Sequence, residues 1–186
     1  MKTRLTKTGF DGLSVVEIDF LEDKRGFFVE TWNKRDFEKV GICDSFIQDS
    51  HSRSKHKTLR GLHFQSLRAP LVKLVRCSRG RVFDVALDLR KGSKTFGQWF
   101  GLELNDINKK QLYIPVGFAH GFEVLSDFAD VEYKQTGFWE SDFECTITWD
   151  DADLGIRWPI NDPILSVKDA KKGVSFADYC KNPVFA

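Results

Sequence analysis

Apolar and polar residues alternate with a period of two along most of the chain, the spacing a half-buried β-strand imposes on successive side chains. In "RVFDVALDL" the residues Phe83, Val85, Leu87 and Leu89 share one face, and Asp84 and Asp88 take the other. "FGLEL" repeats the pattern through Phe100, Leu102 and Leu104, and "GFAHGFEVL" aligns Phe118, His120, Phe122 and Val124. "VEYKQT" and "CTITW" are further candidate strands. The turn signals "SRG", "RKGS", "NDIN" and "PVG" recur at intervals typical of an all-β sandwich or barrel. Helix is scarce. "NKRDFEKVG" predicts one, with Asn33 as N-cap, Asp36 in the first turn and Gly41 just past the end, and "KDAKKG" predicts a second, shorter one. Many short strands with little helix predict a jelly roll or small closed barrel whose mouth can hold a small ligand.

Composition narrows the class. The 186 residues fit one domain with a sizeable core, and 41% hydrophobic with 30% charged residues is the balance of a soluble globular protein. Seventeen Phe and five Trp predict an aromatic-rich interior or a buried interface. A net charge of +1 gives no electrostatic footprint for general nucleic-acid binding. No apolar stretch reaches the roughly 18 residues of a membrane span, and "MKTRLTKTGF" lacks the apolar core of a signal peptide. Cys43, Cys77, Cys145 and Cys180 are far apart and form no C-x-x-C, so they are expected to be reduced thiols of a cytoplasmic protein.

Several positions could carry chemistry. In "TLRGLHFQ" a flat strand would point Arg60 and His63, three apart, to opposite faces. A bulge at Gly61 would add one residue to the count and bring them to one side. On the octapeptide alone the plainer reading is preferred, a simple bend with Arg60 at the surface. His120 sits among phenylalanines, where most histidines are hydrogen-bonded core residues. Lys73 alternates with Val75 and Cys77, and a lysine facing a core is costly unless paired or solvated. Tyr133 alternates with Val131 and needs a partner for its hydroxyl. Four histidines without H-x-H, and only the loose "HGFE", make a catalytic metal a minor alternative. The chain has no G-x-G-x-x-G, P-loop or G-x-S-x-G elbow.

Eight segments in order, "DKRGFFVETWN", "FIQDSHSRS", "LRGLHFQ", "LVKLVRCSRGRVFDVALDLRKGS", "YIPVGFAHGFEVLSD", "EYKQT", "IRWPI" and "LSVKD", resemble the dTDP-4-dehydrorhamnose 3,5-epimerase family from about residue 8 to residue 185. The resemblance implies a cupin-type jelly-roll barrel, one domain over 1–186, with its core at about 15–160 and the segment 161–186 packing on it. It also implies a homodimer, no metal, no cofactor, and a dTDP-4-keto-6-deoxyhexose substrate on the path to dTDP-L-rhamnose. By position, His63 matches the general base, Asp169 the carboxylate that orients it, Tyr133 the acid on the opposite face of the sugar, and Lys73 the cation near the 4-keto oxygen. His120 lines the same pocket. Arg25, Glu30, Gln48, Asp49, Arg60, Glu144 and Lys168 match positions that hold nucleotide, sugar or diphosphate, which favours the bulge at Gly61. Three places depart from the family pattern. Ser50 stands where Asn is usual, Trp139 replaces a Tyr that stacks on thymine, and "ESDFECTITWDDAD" lacks a usual Pro and Gly.

These residue types suit inversion beside a ketone, which removes a proton from one face and returns one to the other. Imidazole is a neutral base near neutral pH, a lysine cation can stabilise the enolate oxygen, and guanidinium forks match phosphate oxygens. Four rivals remain: epimerisation at C3 or C5 alone, a GDP-linked substrate, a metal-dependent cupin enzyme, and a catalytically dead binder of sugar nucleotides.

Overall fold

A computed structural model describes residues 1–185. Its strands in chain order are β1 (Thr3–Lys7), β2 (Ser14–Ile18), β3 (Leu21–Asp23), β4 (Gly26–Phe28), β5 (Gln48–Lys55), β6 (Leu59–Gln65) and β7 (Lys73–Arg79). They continue with β8 (Arg81–Asp88), β9 (Trp99–Asn105), β10 (Gln111–Ile114), β11 (Phe118–Val124), β12 (Phe128–Gln135) and β13 (Glu144–Thr146). The helices are α1 (Lys34–Lys39), α2 (Val167–Lys171) and α3 (Phe176–Lys181).

Two antiparallel sheets make the expected cupin-type jelly roll. One has the order β1-β2-β10-β7-β12-β5, the other β13-β6-β11-β8-β9, and β3 with β4 forms a separate hairpin. The core between the sheets draws Val75, Leu112, Ile114 and Val131 from the first and Val82, Leu104, Phe118 and Phe122 from the second. The outer face of the five-stranded sheet is covered too. There Leu62, Phe64, Val85 and Leu87 pack against Leu154, Tyr179 and Phe185, and Tyr179 Oη donates to Leu89 O at 2.9 Å. On the outer face of the six-stranded sheet, Val16, Ile18 and Leu74 bury Phe37 of α1 and the following Ile42.

The helix expected after Asn33 forms, but the Asn33 side chain makes no capping bond and donates to Glu30 Oε1 instead. Asp36 lies in its first turn, and Gly41 adopts φ +96, left-handed backbone that glycine tolerates, where the helix stops. The "KDAKKG" helix is α2, and α3 has no counterpart among the predicted elements. Asp84 and Asp88 do face opposite to Phe83 and Val85, but that side is the barrel interior, and both are fully buried. Alternation identifies which residues share a face. It does not identify the solvent side when both faces are covered. The six-stranded sheet begins at Thr3, ahead of the expected start of the core near residue 15. Among the described residues no helix is long and apolar enough to cross a membrane, and all four cysteines are free.

Candidate active site

Gly61 settles the geometry of "TLRGLHFQ". His63 pairs with His120 across the β6–β11 ladder, while Arg60 pairs with Phe122, so three steps on β6 answer two on β11. That β-bulge turns Arg60 and His63 to one side, and both line the same cavity. Only glycine fits the bulge, with φ +130, because a Cβ there would stand 2.6 Å from Gly121 Cα.

The cavity, of about 320 Å³, opens between the two sheets and is lined by residues of both. From the five-stranded sheet come Arg60, His63, His120, Phe122 and Glu144. From the six-stranded sheet and the loop after it come Gln48, Ser50, Ser52, Lys73, Tyr133, Gln135 and Trp139. His63 Nε2 and Asp169 Oδ1 are 2.6 Å apart, and Ser166 Oγ donates to Asp169 Oδ2 at 2.9 Å. Ser166 also caps α2 by accepting from Asp169 N, so the helix start fixes the carboxylate behind the imidazole. Burial lowers the His63 pKa below its usual value and Asp169 only partly restores it. Burial raises the Asp169 pKa, but bonds from His63 and Ser166 outweigh that and leave it low. The pair is therefore a neutral imidazole with an ionised carboxylate. With Nε2 donating to Asp169, the lone pair sits on Nδ1, 4.0 Å from Glu144 Oε1. Glu144 is itself paired with Lys168.

Lys73 is half-buried, its Nζ 3.5 Å from His63 O. Burial pushes its pKa down to about 8 against the pull of the Asp84 carboxylate, so it is still mostly cationic at neutral pH. Asp84 accepts from His120 Nε2 at 2.9–3.0 Å. The His120 ring meets Tyr133 edge-on at 6.1 Å. Burial raises the Tyr133 pKa and keeps the phenol protonated. Arg60 Nε donates to Ser54 Oγ at 2.9 Å. Gln48 holds the cavity rim by accepting from Trp139 N at 3.1 Å and donating to Ser50 Oγ and Gln135 Oε1.

Of the fourteen residues singled out in the sequence, nine line this cavity, and Asp169 and Lys168 bond to residues that do. The other three lie elsewhere in the chain's own fold. Arg25 is exposed on the β3–β4 hairpin and paired with Asp23. Glu30 contacts Asn33 and the N-terminus. Asp49 points to the opposite side of β5, where Lys134 Nζ reaches it at 2.9 Å. Ser52 and Gln135 are cavity groups that sequence reasoning missed, and so is the supporting role of Asp84, fully buried behind His120. A signal existed for Ser52: in "QDSHSRSK" the neutral Gln48, Ser50, Ser52 and Ser54 alternate with Asp49, His51, Arg53 and Lys55. Among the described residues no three His, Cys, Asp or Glu side chains are grouped to hold a metal ion.

Comparison with known proteins adds an independent line. The profile of the dTDP-4-dehydrorhamnose 3,5-epimerase family matches residues 7–177. The chain is 50% identical over 177 residues to the dTDP-4-dehydrorhamnose 3,5-epimerase of Pseudomonas aeruginosa, covering 94% of this chain and 97% of that one. It is 49% identical over 166 residues to the enzyme of that name from Salmonella typhimurium, covering 88% and 91%. Among solved structures, one from Legionella pneumophila in complex with dTDP-4-keto-L-rhamnose superposes with a TM-score of 0.87. That protein is 46% identical, with 92% of each chain covered.

Proposed function

The chain belongs to the dTDP-4-dehydrorhamnose 3,5-epimerase family, and from that premise we propose that it converts dTDP-4-dehydro-6-deoxy-D-glucose to dTDP-4-dehydro-L-rhamnose by inverting C3 and C5, without a cofactor, in dTDP-L-rhamnose biosynthesis. The observation that carries this reading is the placement of base and acid on opposing walls. His63 rises from β6 of one sheet and Tyr133 from β12 of the other, and both line one cavity. A hexose held between them meets an imidazole on one side and a phenol on the other, as inversion requires.

Neutral His63, its Nε2–H directed at Asp169, takes the proton from the carbon beside the ketone. The C–H electron pair moves into the carbonyl and leaves an enolate whose charge collects on the 4-oxygen. Lys73 stabilises that oxygen, a contribution of about 3–4 kcal/mol by comparison with an oxyanion-hole donor. Tyr133 gives its proton to the opposite face. Asp169 holds the imidazole in one tautomer and stabilises the imidazolium that forms. Arg60 takes the diphosphate, and the exposed indole of Trp139 at the rim offers a flat surface for the base. Holding these remote groups positions the reacting ring.

The proposal includes a cytoplasmic homodimer. The β3–β4 hairpin exposes Leu21, Phe27 and Phe28 beside Arg25, an apolar surface suited to a second copy. Arg25 and Glu30 then reach a nucleotide in that copy's cavity rather than in their own. The four free cysteines fit a reducing compartment.

Incubation with dTDP-4-keto-6-deoxyglucose in D₂O tests the reaction. Deuterium at both C3 and C5 is expected. Incorporation at one carbon alone, or at neither, overturns the double epimerisation.

A further inference from the structure

The inward face of β5 carries Ser50, Ser52 and Ser54 at alternate positions, and their hydroxyls do not fare alike. Ser50 donates to Gln135 Oε1 at 3.0 Å, and Ser54 accepts from Arg60 at 2.9 Å. Between them, Ser52 Oγ is buried beside the Tyr133 phenol, near enough to influence it but without closing a full hydrogen bond. A buried hydroxyl that closes no full bond is costly, so Ser52 gains when a neighbour becomes a stronger acceptor. Its residue lines the catalytic cavity, yet its oxygen presents almost no accessible surface, which keeps a ligand in the cavity from touching it directly. The group within its reach is the neighbouring phenol. In the β5–β12 ladder Tyr133 stands opposite Ser50, and Val131 opposite Ser52. This makes Ser52 and Tyr133 diagonal neighbours on one face.

We propose that Ser52 is a positioning residue for Tyr133, donating its hydroxyl hydrogen to the phenolate oxygen left when the phenol has given up its proton. This rests on the reading of Tyr133 as the acid. In that step the phenol O–H bond breaks, a C–H bond forms at the enolate carbon, and negative charge passes from enolate to phenolate. Ser52 remains a hydroxyl throughout, and the phenolate regains a proton from solvent before the next turnover. A phenolate in this buried place is costly, and Ser52 and Arg60 are the groups that favour it against burial and Asp84.

The test compares the parent protein with Ser52→Ala, Ser52→Thr, Tyr133→Phe and the double variant Ser52→Ala/Tyr133→Phe, following deuterium entry at C3 and C5 separately. The family resemblance implies that Tyr133 serves C5 more than C3, so Ser52→Ala is expected to lower kcat for C5 exchange about tenfold or more, the worth of a hydrogen bond to a charged group. KM and C3 exchange should stay within about twofold. Its thermal midpoint should hold or rise, because no full hydrogen bond is lost. Ser52→Thr, which keeps a hydroxyl, should restore C5 exchange, and the double variant should be no slower than Tyr133→Phe alone. Equal losses at both carbons overturn the proposal, as does full C5 exchange in Ser52→Ala beside an impaired Tyr133→Phe. Full exchange at both carbons in Tyr133→Phe itself removes the acid and the proposal together.

Discussion

The five-stranded sheet presents two unlike surfaces from the same strands. Inward, β6 and β11 offer Arg60, His63 and His120 to a cavity, and β8 backs His120 with Asp84. Outward, the alternate residues Leu62, Phe64, Val85, Leu87 and Ala119 form a closed cluster with Tyr179 and Phe185. The inner surface carries groups whose burial is unfavourable unless paired, and one of its neighbours, Ser52, closes no full hydrogen bond. The outer surface carries none of that burden and gains stability in proportion to the apolar area it hides. A strand thus divides its labour by residue parity, with reactivity on one side and anchorage on the other.

On the proposed roles, the largest effect belongs inside. His63→Ala should lower kcat by about 10³-fold, the worth of a general base, and abolish deuterium entry at both carbons. Full exchange in that variant would remove the base from the inner surface. Lys73→Met should cost about 10²–10³-fold in kcat by loss of enolate stabilisation, with dTDP affinity little changed in calorimetry. Outside, Leu87→Ala should lower stability by about 3 kcal/mol through the cavity it leaves, read by urea unfolding, with kcat/KM nearly unchanged in the folded fraction. A matching fall in kcat/KM would mean that the two surfaces are coupled.

The next effect is one of pH. Lys73 acts as a cation and its pKa lies at about 8, so kcat/KM, which reports the free enzyme, should fall about tenfold per pH unit above that value. His63 acts as a neutral base with a lowered pKa, so the acidic limb should lie below the ordinary imidazole range. Lys73→Met should erase the alkaline limb and leave the acidic one. The smallest effect is that of Tyr179→Phe, which removes the bond to Leu89 O and should cost about 1 kcal/mol without altering exchange at either carbon.

Strands whose two faces differ sharply in polarity were legible. β8, β9, β11 and β12 all stand where alternation placed them, and α1 forms between its N-cap and its glycine. β5 was not, because nearly every residue in "QDSHSRSK" is polar and an apolar period is the signal a strand normally shows. Its periodicity lies in charged against neutral side chains, since one face lines a polar cavity. Asp84 escaped for the converse reason: its carboxylate lies on the less apolar face of β8, which is the inner one. The cavity residues Lys73, His120 and Tyr133 were each ambiguous alone, and it was the resemblance to a family that grouped them. Arg25 and Glu30 show the limit of carrying roles by position, since a matched residue need not reach the site of its own chain.

His63 and Asp169 touch across 106 residues of sequence. During translation the imidazole therefore leaves the ribosome long before the carboxylate that steadies it. A half-made chain would own the reactive ring but not its tether, and proficiency would arrive late, when α2 docks onto a barrel already closed. Proteolytic nicking ahead of Ser166 would undo that last step first, silencing the catalyst while leaving much of its sheet intact.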